Sequence, residues 1–233
     1  MRTIGLLGGM SWESSIKYER LINTETRRRR GGTASADLII RSYDFAAIEE
    51  AQAAGRWEEL GDLLATDAQQ LERAGADLVV LCTNTMHKVA DRIEAAIGVP
   101  FLHLGDATAR AVNEAGVSTV GLLGTRYTME HDFYRGRLEA NGLTVLVPDE
   151  PDRTTVHDVI YHELVRGVID ETSRRAYLDV IERLIGRGAD GVIAGCTEIE
   201  LLLGADDVRV PWFPTTRLHA MAAVDAALTA PGT

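Results

Sequence analysis

The chain has 233 residues, 45% of them hydrophobic and 25% charged, with a formal net charge of -11 at pH 7. That is enough chain for one large core or two smaller ones, and it excludes a disulfide-stapled miniprotein and a disordered segment. The acidic balance argues against general attraction to nucleic-acid phosphates or anionic lipid, so the expected partner is a small molecule, with no nucleic acid and no membrane.

In chain order, strands are predicted at 3–7, 38–42, 78–81, 101–104, 119–123, 143–147, 192–194 and 211–213. Helical patterns lie between them at 13–30, 58–74, 107–115, 130–140, 174–187 and 217–228, several closed by Gly or Asn-Gly. Short β-branched runs alternating with longer helices are the pattern of βαβ units, so the fold class is α/β with mainly parallel sheets. No apolar run approaches the ~20 residues of a membrane helix. The opening Met1-Arg2-Thr3-Ile4-Gly5-Leu6-Leu7-Gly8-Gly9 reaches a glycine turn too early for a signal peptide, and a cytoplasmic location is expected. In that reducing compartment Cys82 and Cys196 are expected to be free thiols.

The chain repeats itself once. Thr3-Ile4-Gly5-Leu6-Leu7-Gly8 recurs as Thr119-Val120-Gly121-Leu122-Leu123-Gly124, and Leu71 to Asp77 recurs as Leu184 to Asp190. Cys82-Thr83 then matches Cys196-Thr197, and Val99-Pro100-Phe101 matches Val210-Pro211-Trp212. Collinear matches of this kind predict two similar, pseudosymmetric α/β halves, residues 1–115 carrying Cys82 and 116–233 carrying Cys196. The C-terminal helix is left able to pack back on the first half. Ligands of parallel sheets sit outside the carboxyl ends of the strands, which is where both cysteines fall, so an active site in a cleft between the halves is expected.

Two thiols presented from opposite walls suit one chemistry well. Inverting a carbon stereocentre needs a base on one face and an acid on the other, and a thiolate with a thiol supplies that pair. A helix start after each sulfur is expected to favour one thiolate near neutral pH. In Cys82-Thr83-Asn84-Thr85, hydroxyl, amide and backbone N–H groups can hold a carboxylate and a developing enolate. Thr197 offers a matching donor, and Glu198 an acceptor for a substrate ammonium.

Ile4-Gly5-Leu6-Leu7-Gly8-Gly9-Met10-Ser11-Trp12-Glu13-Ser14, Leu81-Cys82-Thr83-Asn84-Thr85-Met86-His87-Lys88 and Gly195-Cys196-Thr197-Glu198-Ile199 together resemble the aspartate/glutamate racemase family, in particular its broad-specificity amino-acid racemase branch. The likeness runs over essentially the whole chain, and the paired Cys-Thr motifs are its specific part. It implies a racemase of free amino acids that needs no pyridoxal phosphate, other cofactor or metal, usually a homodimer, with Cys82 and Cys196 as the acid/base pair. It also implies that Met10, Gln52, Thr83, Asn84, Thr85, Thr197 and Glu198 lie at or near the substrate.

Members acting on acidic substrates resemble one another in holding the side-chain carboxylate with basic residues, one from a first-half loop and one from a second-half helix. Here the loop reads Ile48-Glu49-Glu50-Ala51-Gln52 and the helix Glu163-Leu164-Val165-Arg166, with no basic residue in the former. A broad or neutral substrate range is therefore expected over strict aspartate or glutamate specificity. Related carbon-acid reactions, such as hydantoin racemisation or maleate isomerisation, are the alternatives on the same scaffold. A non-catalytic amino-acid-binding or thiol-redox protein is the alternative of another class. Gly5, Gly8 and Gly9 lack the G-x-G-x-x-G spacing of a dinucleotide loop. Cys82 with His87 matches no zinc spacing, and His87 is expected to orient the turn. Arg27 to Arg30 before Gly31 fit a solvated helix end, and no role is assigned to His131, His157, His162 or His219.

Overall fold

The computed structural model describes residues 1–229, which divide into two compact units, Met1–Leu104 with residues 219–229, and Gly105–Leu218. The first unit contains β1 (Ile4–Gly8), α1 (Trp12–Arg30), β2 (Leu38–Ser42), α2 (Phe45–Ala53), α3 (Trp57–Arg73) and β3 (Leu78–Leu81). A 3-10 turn at Thr85–Val89, α4 (Ala90–Ala96) and the short β4 (Phe101–Leu102) follow. All strands pair in parallel, in the order β2-β1-β3-β4. Such a sheet must be covered on both faces, which is why its central strands read as unbroken apolar runs. Ile4, Leu6, Leu78 and Val80 pack with Tyr18 and Ile22 of α1, while Leu7, Val79 and Leu81 pack with Leu60, Leu64, Ala68 and Leu71 of α3.

The second unit runs α5 (Leu104–Glu114), β5 (Thr119–Leu123), α6 (Arg126–Glu130), α7 (Asp132–Ala140), β6 (Thr144–Leu146), α8 (Asp152–His162), α9 (Glu171–Gly186), β7 (Gly191–Ala194), α10 (Ile199–Leu202) and β8 (Trp212–Pro214). Its sheet is again parallel, ordered β6-β5-β7-β8. The last helix, α11 (Thr215–Leu228), begins in this unit, and from His219 it belongs to the first, where Ala220, Ala223 and Val224 join the core. The α/β class is thus observed, as two parallel four-stranded sheets of one topology.

The repeated residues do the same work twice. Asp77 accepts from Thr3 N–H at 2.7 Å and Asp190 accepts from Thr119 N–H at 2.8 Å, each clamping the start of the central strand to the next one. A Cβ at Gly5 would lie 3.0 Å from the Ala76 Cβ and 3.2 Å from Leu71, and one at Gly121 would lie 3.0 Å from Leu184. Glycine in these strands, with Leu and Ala facing it, is therefore what lets helix and strand approach closely.

Several expected boundaries shift. The strand expected at 101–104 ends at Leu102, because Leu104 already opens α5. The helix expected at 130–140 is broken at His131, whose extended backbone separates α6 from α7. The segment Ile48–Gln52, read as a loop, lies on α2, capped by Asp44 accepting from Ala46 N–H at 3.1 Å. Glu163–Arg166, read as part of a helix, is the end of α8 and a 3-10 turn. The arginine run ends α1 as expected: Arg28 and Arg29 both grip Glu25, whose carboxyl those hydrogen bonds hold down at about 2. Among the described residues no helix is long and apolar enough to cross a membrane.

Candidate active site

In the first unit the candidate residues gather where β1 and β3 end. Cys82 directly follows β3, and its N–H donates to Leu7 O at 2.8 Å, so it is still held by the ladder. Its side chain points to the face covered by α1 and α11 and is fully buried. Burial pushes the Cys82 thiol well above its ordinary value. Ser14, in the first turn of α1, donates its hydroxyl to the Cys82 carbonyl at 3.3 Å. Chain reversal after β1 depends on Gly9, at φ 84°, where a Cβ would sit 2.3 Å from Tyr43 N. Met10 and Gln52 are both buried here, and Gln52 Nε2 reaches the Met86 sulfur at 3.0 Å. Thr83 and Asn84 form the turn and Thr85 starts the 3-10 helix, so the expected substrate-binding residues of this half share one sheet end.

His87 orients this turn as expected, and it does so within a histidine cluster whose other members the sequence did not announce. His87 Nε2 accepts from Leu104 N–H at 3.1 Å, which leaves Nδ1 as the protonated nitrogen, donating to Thr83 O at 2.8 Å. Its ring lies 4.7 Å from that of His103 and 5.8 Å from that of His219. His219 Nε2 donates to Leu102 O at 2.8 Å while Nδ1 accepts from Tyr18 OH at 2.9 Å. Both rings are therefore neutral. Burial lowers His219 to about 4 and holds His87 well below its ordinary value, with the neighbouring imidazoles pushing the same way. Sequence spacing gave His219 no role, since its partners are 117 and 201 residues away.

In the second unit Cys196 follows β7, but not at the same step as Cys82. Leu81 pairs with Leu7, and Ala194 pairs with Leu123. The ladder bond made by Cys82 N–H is thus made in this unit by Gly195 N–H, to Leu123 O at 2.7 Å. Cys196 lies one residue further out and is half-buried, where Cys82 is wholly enclosed. Gly195 occupies the intervening position because a Cβ there would meet Leu123 O at 2.7 Å. The Cys196 thiol donates to Glu198 Oε2 at 2.9 Å. Burial, then the negative charge of Glu198, raises the Cys196 pKa; the backbone N–H groups of Thr197 and Glu198 oppose this only in part. The expected lowering by a helix start is outweighed, since α10 is only four residues long. Thr197 receives a hydrogen bond from Thr216 at 3.2 Å, and Glu198 is buried.

Among the described residues no three His, Cys, Asp or Glu side chains converge to hold a metal ion. Neither Arg166, which is exposed, nor any residue of α2 between Ile48 and Gln52 supplies a buried cation.

Comparison with known proteins finds similarity in fold and sequence over nearly the full length. The crystal structure of a candidate Asp/Glu racemase from Yersinia pestis is 53% identical and superposes with a TM-score of 0.94, covering 98% of this chain and 100% of that one. PH1733, an aspartate racemase homologue from Pyrococcus horikoshii OT3, is 34% identical with a TM-score of 0.85, covering 97% and 99%. The broad specificity amino-acid racemase RacX of Bacillus subtilis (strain 168) is 24% identical over 229 residues, 97% of this chain and 98% of that protein. The family model for Asp/Glu/hydantoin racemases matches residues 7–223, a span that takes in both Cys-Thr turns and every strand but the start of β1, and the chain belongs to that family.

Proposed function

We propose that the protein racemises free amino acids without a cofactor, with Cys82 and Cys196 exchanging protons with opposite faces of one α-carbon. The observation that carries this reading is the Cys196 thiol held at 2.9 Å from the Glu198 carboxylate at a strand end whose counterpart in the other unit carries Cys82. For one direction, Glu198 accepts the Cys196 proton, the thiolate takes the α-hydrogen, and the Cys82 thiol delivers its own proton to the opposite face. Cys82 is left as thiolate, ready for the reverse substrate. A thiol made hard to ionise is a correspondingly strong base once ionised, which suits an acid as weak as the α-carbon. Thr83, Asn84, Thr85 and Thr197 supply donors for the substrate carboxylate and for the charge that develops on it, Met10 and Gln52 line the first-unit wall, and Glu198 doubles as proton acceptor.

A range wider than aspartate and glutamate is supported by α2, whose buried positions are Ile48, Ala51 and Gln52 and whose remaining side chains include no cation. The name of the Bacillus subtilis relative points the same way. The test is loss of the α-hydrogen NMR signal in D2O over a panel of L- and D-amino acids with no cofactor added. Exchange with parallel loss of optical rotation is expected; turnover of aspartate or glutamate with none of any other amino acid would overturn the wide range.

A further inference from the structure

The neighbour of the Cys196 turn is the start of α11. In the parallel pair of β7 and β8, Ala194 stands beside Pro214, so Gly195-Cys196-Thr197 leaves one strand where Thr215-Thr216 leaves the other and opens the helix. Threonine is a poor helix former, and these two spend their hydroxyls on the neighbouring strand end. Thr215 Oγ1 donates to Ala194 O at 2.8 Å, and Thr216 Oγ1 donates to Thr197 Oγ1 at 3.2 Å. Both threonines are almost wholly enclosed. Leu81 and Ala194 pair alike with their central strands, and Leu102 stands in β4 where Phe213 stands in β8. The matching step of the first sheet is therefore Leu104-Gly105, which carries no hydroxyl. There the Cys-Thr turn is held by the His87 ring, which takes the Leu104 N–H and donates to Thr83 O. One task, fixing a Cys-Thr turn against the next strand end, is done by an imidazole in one unit and by a hydroxyl in the other.

Thr197 carries two donors of different use. Burial and the Glu198 charge keep the Cys196 thiol protonated, and the N–H groups of Thr197 and Glu198, which face the sulfur, oppose them. The Thr197 oxygen is the acceptor in the bond from Thr216, so its own hydrogen is turned away from Thr216. We infer that Thr216 is a positioning residue for proton transfer at Cys196: its buried hydroxyl fixes Thr197, and with it both Thr197 donors. Among the described residues, Glu198 and Tyr177 of α9 are the titratable groups that sense the sulfur, and a change at Thr216 leaves both in place. The inference rests on the racemase reading for the reaction it assists, but not for the state of Cys196 itself.

The experiment reads the thiol and the reaction separately, on the full chain. Thr216→Val keeps the shape without the hydroxyl, Thr216→Ala removes the hydroxyl with less bulk, and Thr216→Ser restores it. The pH midpoint for Cys196 alkylation by iodoacetamide, followed by peptide mass spectrometry, should rise by about half a pH unit in the Val and Ala variants, the worth of a weakened hydrogen bond. Thr216→Ser should return it to the wild-type value. For the amino acid that wild type racemises best, kcat should fall about 3- to 10-fold with KM little changed, because the donors act on charge that develops during the reaction. Combined with Thr197→Val, Thr216→Val should cost nothing further. An unchanged midpoint in both the Val and Ala variants overturns the inference. So does a Thr216→Val loss that adds in full to that of Thr197→Val, since the residue would then act through the fold and not through Thr197. A raised midpoint, restored by Thr216→Ser, in a protein that racemises no amino acid would sustain the positioning role and overturn the racemase reading instead.

Discussion

Burial raises the pKa of both Cys82 and Cys196, so at neutral pH each rests with its proton on, and the thiolate exists only when something takes that proton away. For Cys196 the acceptor is in place, Glu198 at 2.9 Å; the carbonyl of Cys82 is tied to Ser14, and its thiol lies among Tyr18, Ile22 and the alanines of α11. The two sulfurs are thus unequal, although the sequence repeats them as a pair. Cys82→Ala and Cys196→Ala should each lower racemisation by about 100- to 10,000-fold, the usual worth of a positioned acid or base. Each variant should still exchange the α-hydrogen of one enantiomer slowly, and the two variants should prefer opposite enantiomers, as followed by NMR in D2O with chiral separation. Wild-type rates in either variant would remove the mechanism. Glu198→Gln should shift the alkaline limb of the rate profile, because it deletes the negative charge that helps hold the Cys196 pKa up.

The element most exposed to acid is the turn after Cys82. His87 holds the Thr83 carbonyl and His219 joins α11 to β4, and both do so as neutral rings. Their pKa values are lower folded than unfolded, so the unfolded chain binds more protons, and stability that is complete above about 6.5 is lost as pH falls towards 4. For His219 alone, at about 4 folded, denaturant titration should show a loss of about 2 kcal/mol between pH 7 and 4.5. His219→Asn should be less stable at pH 7 but flatter over that range, and a variant as acid-sensitive as wild type would rule this cluster out as the cause. Glu25 does not interfere, since its stabilisation, with the carboxyl at about 2, is lost only below about 4.5. Elements were legible where apolar periodicity was long, as in α1, α3 and α9. Short α2 and α8 were not: α8 carries Val156, Val159 and Ile160 at helical spacing, but Pro148, Pro151 and a polar first turn mask it. The contacts of His219 cross more than a hundred residues and leave no local trace, whereas His87, four residues from the carbonyl it holds, was legible as the residue that orients the turn.

At the scale of the molecule, much of the internal repeat records packing. Gly5 and Gly121, Ala76 and Ala189, and Asp77 and Asp190 recur because a strand, a helix and a strand start meet in the same way twice. The Cys-Thr repeat is not explained by equal packing, because Cys82 is enclosed in a core while Cys196 is half-buried one residue further out, and it was this pair that marked the candidate site in the sequence. Hidden from sequence was the one-residue step between the cysteines, which only the strand register reveals. If both thiols serve a single α-carbon, a short bifunctional alkylating reagent such as 1,3-dibromoacetone should join the two units of one chain. Peptide mass spectrometry should then find residue 82 covalently bridged to residue 196, with bridging suppressed by a good substrate and absent in Cys82→Ala and Cys196→Ala. Alkylation of each thiol without a bridged peptide would mean that the sulfurs do not share a carbon, and the two-base mechanism would have to be abandoned even though the family assignment stands.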